Sequence, residues 1–233
     1  MIRARSEPAF VLSAQPWRET SLIAELITPH YGRVTVVVRG AKRESSRFRG
    51  LINPFVPLLV NFSGASDVKN LTDARWLGGL APLSPEALVS AFYVNELVLR
   101  LTTRSDPSAA LFDAYTDVLK NLADKEGREL SLALRRFEVK LLSELGWSQA
   151  SKADEIDAGG LWVVRNGELV CVDRFEEGEI PVSQAAARAV ARGQLEEAPD
   201  LREVRDVLRR IIGYYVGDRG LKTRKTLECW TQL

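Results

Sequence analysis

The 233-residue chain has one histidine, one methionine and two cysteines, and each scarcity closes a class of chemistry. Cys171 and Cys229 lie far apart with no Cys-x-x-Cys pair, which excludes a cysteine-built zinc site and points to a reducing compartment. Each reads as a buried, inert thiol. His30 stands in the turn Thr28-Pro29-His30-Tyr31-Gly32 and reads as a solvated turn residue. With a single histidine and no serine or cysteine partner for it, nucleophilic catalysis lacks its machinery, and the protein is expected not to be an enzyme. No apolar run approaches the ~20 residues of a membrane span. The opening MIRARSEPAF has no apolar signal core, so the expectation is a cytoplasmic protein. The acids Asp154, Glu155, Asp157, Asp173, Glu176, Glu177 and Glu179 cluster without the spacing of a calcium loop, which leaves a solvated acidic loop and no expected metal or cofactor.

What the chain does have is charge placed unevenly. Residues 1–80 carry 11 Lys and Arg against 6 Asp and Glu, whereas residues 81–233 carry 21 against 25. Opposite signs in the two parts fit two different sets of partners. The basic surplus concentrates in YGRVTVVVRGAKRESSRFRG, residues 31–50, where Arg33, Arg39, Lys42, Arg43, Arg47 and Arg49 face one acid, Glu44. The segment starts as a strand, breaks at Gly40 and continues as a polar loop with little to pack a core. A positive loop on a β-scaffold is a common device for holding a nucleic-acid backbone.

Periodicity divides the chain. Phe10-Leu12-Ala14, Leu22-Ala24-Leu26 and Val34-Val36-Val38 alternate at the strand period. A fourth strand begins near Pro54 and Pro57 and ends near Phe62; a fifth runs from Val68 to Leu77. Five short strands in about 80 residues suggest a small closed barrel of OB type. From Ser84-Pro85 the period becomes helical, with Ser84 as N-cap and Pro85 at the first position. Helices are expected over Pro85–Leu101, from Asp106-Pro107 onward, over Glu129–Leu145 with Gly146 as C-terminal cap, and at about 183–192, 201–215 and 221–230. Arg165-Asn166-Gly167 between two apolar runs signals a hairpin. The fold class is therefore α+β and multidomain: a five-stranded OB-type barrel over 1–80, then a mainly helical domain over 81–233 with a small hairpin insertion at 147–180.

Several segments taken together resemble the RecO family of bacterial recombination mediators: AFVLSAQPWRETSLIAELIT, YGRVTVVVRGAKR, INPFVPLLVNFSG, FYVNELVLRLT, LFDAYTDVLKNL, LRRFEVKLLSELGW and GLKTRKTL, in family order. Many members carry a four-cysteine zinc site after the LG[WY] motif. Here Leu145-Gly146-Trp147 is followed by SQASKADEIDAGG, so the chain resembles the zinc-free branch, with the hairpin where the zinc module would be. The resemblance implies binding of single- and double-stranded DNA, annealing of complementary strands, contact with RecR and with the tail of single-strand-binding protein, and a role in loading recombinase, in a nucleoid-associated cytoplasmic protein.

OB-folds hold single strands by a basic groove and aromatic stacking. The expected DNA contacts are Arg33 and Arg39 on one strand face, Lys42, Arg43, Arg47 and Arg49 on the following loop, and Tyr31 and Phe48 as stacking residues; for Phe48 a core anchor is the alternative. Trp17 and Trp76 read as core. A second basic cluster, Arg219, Lys222, Arg224 and Lys225, either joins DNA or caps helix ends. The family's helical domain is the implied dock for the partner tail, which is acidic and ends in an apolar residue with a free carboxylate. Leu134, Phe137 and Leu141 offer an apolar stripe, and Arg135, with Arg136 and Lys140, a cation to pair the carboxylate. Pairing of these cations with Glu138 or Glu144 on the same exposed face is the alternative. An RNA-binding OB module and a protein adaptor without DNA binding of its own remain competing classes.

Overall fold

The computed structural model describes residues 2–223. The expected first strand is longer than its apolar core suggests. β1 spans Ile2–Trp17, and β2 Ser21–Thr28, β3 Gly32–Val38, β4 Pro57–Gly64 and β5 Val68–Trp76 follow. β1 is long because it serves two neighbours: Ile2 to Phe10 pair with β4 and Phe10 to Trp17 with β2, both antiparallel. A bulge between Ala4 and Glu7 bends it, with Ser6 at φ 49° and its N–H donated to Asn61 Oδ1 at 2.6 Å. β3 and β5 pair in parallel and β5 returns to β4, which closes the barrel in the order β1-β2-β3-β5-β4. Ala9, Val11, Leu26, Val36, Leu58, Val60 and Phe62 fill its interior.

β1 is buried on both sides. Ala9 and Val11 point into the barrel, while Phe10 meets Phe112 and Tyr115 of the second helix that follows, at ring-centroid distances of 5.8 and 5.2 Å. α1 is Pro85–Leu101, capped by Ser84, and α2 is Ala109–Asp124. Ser108 caps α2, its hydroxyl accepting from the Leu111 N–H at 3.0 Å, so the helix starts two residues after the expected Asp106-Pro107. A buried polar chain ties the helices to the strand: Tyr115 donates to Asn95 Oδ1 at 2.6 Å, and Asn95 Nδ2 donates to the Leu12 carbonyl at 2.8 Å. Gly32 sits at φ 63°, and a Cβ there would lie 2.1 Å from the Asp106 carbonyl oxygen, so only glycine allows the loop between α1 and α2 to cross the β2–β3 turn. By compactness the chain divides into Met1–Asp124 and Lys125–Leu233.

The second unit contains α3 (Gly127–Glu144), a short α4 (Ala153–Asp157) that the sequence pattern did not reveal, the hairpin β6 (Leu161–Arg165) and β7 (Glu168–Val172), α5 (Gln184–Arg192) and α6 (Leu201–Val216). The hairpin turn is Asn166-Gly167, both at positive φ. A Cβ on Gly167 would lie under 3 Å from the rings of Tyr214 and Tyr215, which close over the turn. Gln149 pins the hairpin from outside, accepting from the Leu169 N–H at 2.8 Å. Phe137, Leu141, Trp162, Leu169, Val207, Leu208 and Ile211 form the core. Several acids of this unit pair with arginines: Glu176 and Glu179 with Arg165, and Asp157 with Arg188 and Arg192. Among the described residues no group of three or more His, Cys, Asp or Glu side chains is placed to hold a metal ion. Cys171 is exposed rather than buried, because it occupies the outward position of a two-stranded edge; Cys229, Arg224, Lys225 and most of the expected final helix lie outside the described residues.

Candidate nucleic-acid interface

The segment after β3 is wound into successive i→i+3 turns: Arg43 N–H to Gly40 O, Ser46 N–H to Arg43 O, Arg49 N–H to Ser46 O and Leu51 N–H to Phe48 O. Three residues nail it to the barrel. Ala41, Phe48 and Ile52 are buried and belong to the barrel core, so the loop does pack a core, contrary to its polar composition. Phe48 is 7% exposed and cannot stack on a base; its role is the anchor. Tyr31 is half-buried, edge-on to Phe62 at 5.2 Å, and packs with the same core.

The six basic residues separate by what they touch. Arg33 is engaged inside the protein: its guanidinium donates to the Thr102 carbonyl at 2.8 Å and lies 3.6 Å from the Glu25 carboxylate, which also pairs with Arg104 at 2.7 Å. Burial lowers the pKa of Arg33, with Glu25 acting in the opposite sense. Arg33 is thereby removed from the expected DNA contacts, and Thr35 beside it is buried and donates to Glu25 at 2.7 Å. Arg47 lies over the Phe48 ring at 5.0 Å and donates to the Thr72 carbonyl; Arg49 reaches the Glu44 carbonyl at 3.4 Å. Arg39, Lys42 and Arg43 are exposed and have no side-chain counter-charge among the described residues.

Arg39 and Arg43 belong to a cleft of about 640 Å³ at one end of the barrel, with Trp17 at the end of β1, Arg18 of the β1–β2 turn and Lys69 of β5. Four of its lining residues are cations and none is an acid. Trp17 is 43% exposed and Trp76 66% exposed, which corrects their assignment to the core. Both sit at strand ends, where alternation stops deciding which side is covered. Lys69 and Arg18 were missed. Lys69 stands in phase with inward-facing Leu71, a lysine at an apolar position, and that was the readable signal. Arg18 has φ 54°, uncommon for a non-glycine residue, which holds it at the turn. His30 is exposed in its turn as expected, and its Nδ1 lies 3.0 Å from the buried Glu7 carboxylate.

The expected tail site is arranged differently. Arg135 is 7% exposed and pairs at 3.0 Å with Glu138, which is fully buried. Leu134 and Phe137 are buried in the core, so they line no open pocket. Arg136 pairs with Glu196 across to the segment before α6, its Nε donating at 2.9 Å, and Lys140 with Glu144 at 2.7 Å. The alternative of pairing on the exposed face of the helix holds for Lys140 with Glu144; Arg135 does pair with Glu138, but on a buried face. In Arg135 the pair is internal because α3 turns that face inward.

A closed five-stranded barrel with a cationic cleft, followed by a helical region, is the architecture of an OB-fold protein. The sequence matches the family models "Recombination protein O N terminal" over residues 1–80 and "Recombination protein O C terminal" over residues 82–225. Relatives named DNA repair protein RecO come from Aromatoleum aromaticum (38% identical, 97% of this chain and 96% of the relative), Nitrosococcus oceani (37%, 97% and 94%) and Azoarcus sp. (36%, 97% and 96%). The chain belongs to the recombination protein O family, and its setting is DNA repair and recombination. No helix among the described residues is long and apolar enough to cross a membrane.

Proposed function

We propose that the protein binds single- and double-stranded DNA without sequence preference through the cationic end of its barrel, anneals complementary strands, and helps load recombinase onto DNA coated by single-strand-binding protein. The carrying observation is the trio Arg39, Lys42 and Arg43. These are exposed charges without an internal counter-charge, on a loop held rigid by Ala41, Phe48 and Ile52. Cations presented this way meet phosphate, which carries no base information, so sequence-specific reading is not expected. Annealing requires no covalent chemistry: two strands whose charge is neutralised on one protein repel each other less.

RecR and the tail of single-strand-binding protein are the proposed protein partners. With Arg135 internal, Arg136 is the α3 arginine at which a tail carboxylate would act, by replacing Glu196. The test is binding of single-stranded DNA, duplex DNA and RNA of equal length, with a strand-annealing assay, on the wild type and on a variant with Arg39, Lys42 and Arg43 reversed in charge. Loss of both DNA binding and annealing supports the reading. Tighter binding to RNA than to DNA favours an RNA module, and absence of all three favours an adaptor.

A further inference from the structure

Lys69 is a cation inside the barrel wall. It is 6% exposed, lies on the inward face of β5, and its ammonium donates to the Ser66 carbonyl. An ammonium has three donors, and burying a charge without a counter-ion is costly. No carboxylate lies within ion-pair distance of it among the described residues, and none lines the cleft that it enters. Arg18, Arg39 and Arg43 around it make the local field more positive still. A site that collects four cations and supplies no anion is completed by an anion from outside.

The same cleft offers an aromatic surface. Trp17, 43% exposed, lies on the wall that carries Arg18. We infer that the cleft is a one-nucleotide subsite for single-stranded DNA, in which Lys69 with Arg39 and Arg43 takes a backbone phosphate and Trp17 stacks on the adjoining base. This rests on the DNA-binding reading above and deepens it. The reason for strand selectivity is geometric. A base can lie on an indole only when it is out of a duplex stack, whereas phosphates are presented by both forms. The cationic loop therefore serves single and double strands alike, and Trp17 discriminates between them.

The experiment compares Trp17→Ala, Trp17→Phe, Lys69→Met and the Arg39, Lys42, Arg43 charge variant on a thymidine oligomer and on a duplex of equal length, with thermal melting as the fold control. Trp17→Ala is expected to weaken single-strand binding about 5- to 150-fold, the usual range for one stacked base, and duplex binding by less than twofold. Trp17→Phe should restore most of the loss. Lys69→Met should reduce the log–log salt slope for single strands by about 0.7, one phosphate. The difference in fluorescence quenching between wild type and Trp17→Phe on adding the oligomer reports stacking directly, and it stands even where the alanine variant melts early. Equal loss on both DNA forms, or no difference in quenching, overturns the inference. If Trp17→Ala changes nothing while the charge variant weakens both forms, the subsite fails and the barrel reading survives. If the charge variant itself binds like wild type, both fail.

Discussion

The geometry turns a count of basic residues into a salt dependence. At the barrel end Arg18, Arg39, Lys42, Arg43 and Lys69 have no carboxylate partner among the described residues. Arg33 is excluded by its bonds to Thr102 and Glu25. Each phosphate met on a single strand contributes about −0.7 to the slope of log affinity against log salt. Five contacts give about −3.5, a loss of roughly 130-fold between 50 and 200 mM salt. Replacing Arg39, Lys42 and Arg43 by alanine leaves two, a slope near −1.4 and a loss of only about sevenfold over the same range. Fluorescence anisotropy with a labelled oligomer at four salt concentrations measures both. Arg33→Ala is the internal control: its slope should match wild type, while the lost hydrogen bond to Thr102 and ion pair with Glu25 lower stability by roughly 1.5–3 kcal/mol. A folded triple variant with an unchanged slope would refute the assignment, as would an Arg33 variant whose slope drops by a full contact.

Four other outcomes follow from single contacts. Glu138→Ala strands the buried Arg135 and should destabilise the protein by about 3–5 kcal/mol in a denaturant titration, whereas joint replacement of both residues by apolar ones of similar volume should cost far less. Burial raises the Tyr115 pKa, so its neutral form is favoured in the fold; stability is fully present below the unfolded value of about 10 and declines as pH rises above it, and Tyr115→Phe should flatten that alkaline limb in melting measurements. Glu196→Gln releases Arg136 and should tighten binding of an acidic tail peptide in a titration; weaker or unchanged binding moves the dock elsewhere. Chelator treatment should leave melting temperature and annealing unaltered, and stoichiometric zinc by elemental analysis would contradict that expectation.

Much of the fold was legible because strand alternation and helix caps are local. Ser84-Pro85, Gly146 and Asn166-Gly167 each stand where their backbone chemistry requires them. The first strand extends further than expected because the alternation Ile2-Arg3-Ala4-Arg5 is brief and is broken by the bulge between Ala4 and Glu7; pairing with β4 along this stretch determines it. The unbroken run Ala9-Phe10-Val11-Leu12 was the sign that β1 is covered on both sides, by the barrel interior and by α1 and α2. Reading it as one alternating face concealed why these helices share a compact unit with the barrel.

The site was legible only as a neighbourhood. Composition registers that arginines are crowded, but a guanidinium has donors enough to satisfy several internal acceptors, and nothing local distinguishes an engaged arginine from an available one. Arg33 differs from Arg39 because Glu25, eight residues back, and Thr102, 69 residues on, both reach it. Arg135 differs from Arg136 because α3 turns one inward to Glu138 and the other outward to Glu196. Lys69 is the opposite case. It sits in an apolar phase, where the ordinary expectation would be a hydrophobic side chain, and its neighbours in the cleft supply more positive charge instead of an acid. Misplaced charge is therefore the sharper signal than abundant charge. An arginine in a basic run can be absorbed by carbonyls and carboxylates already in the fold, whereas a lysine held in a barrel wall among three arginines lacks its counter-ion until a phosphate arrives.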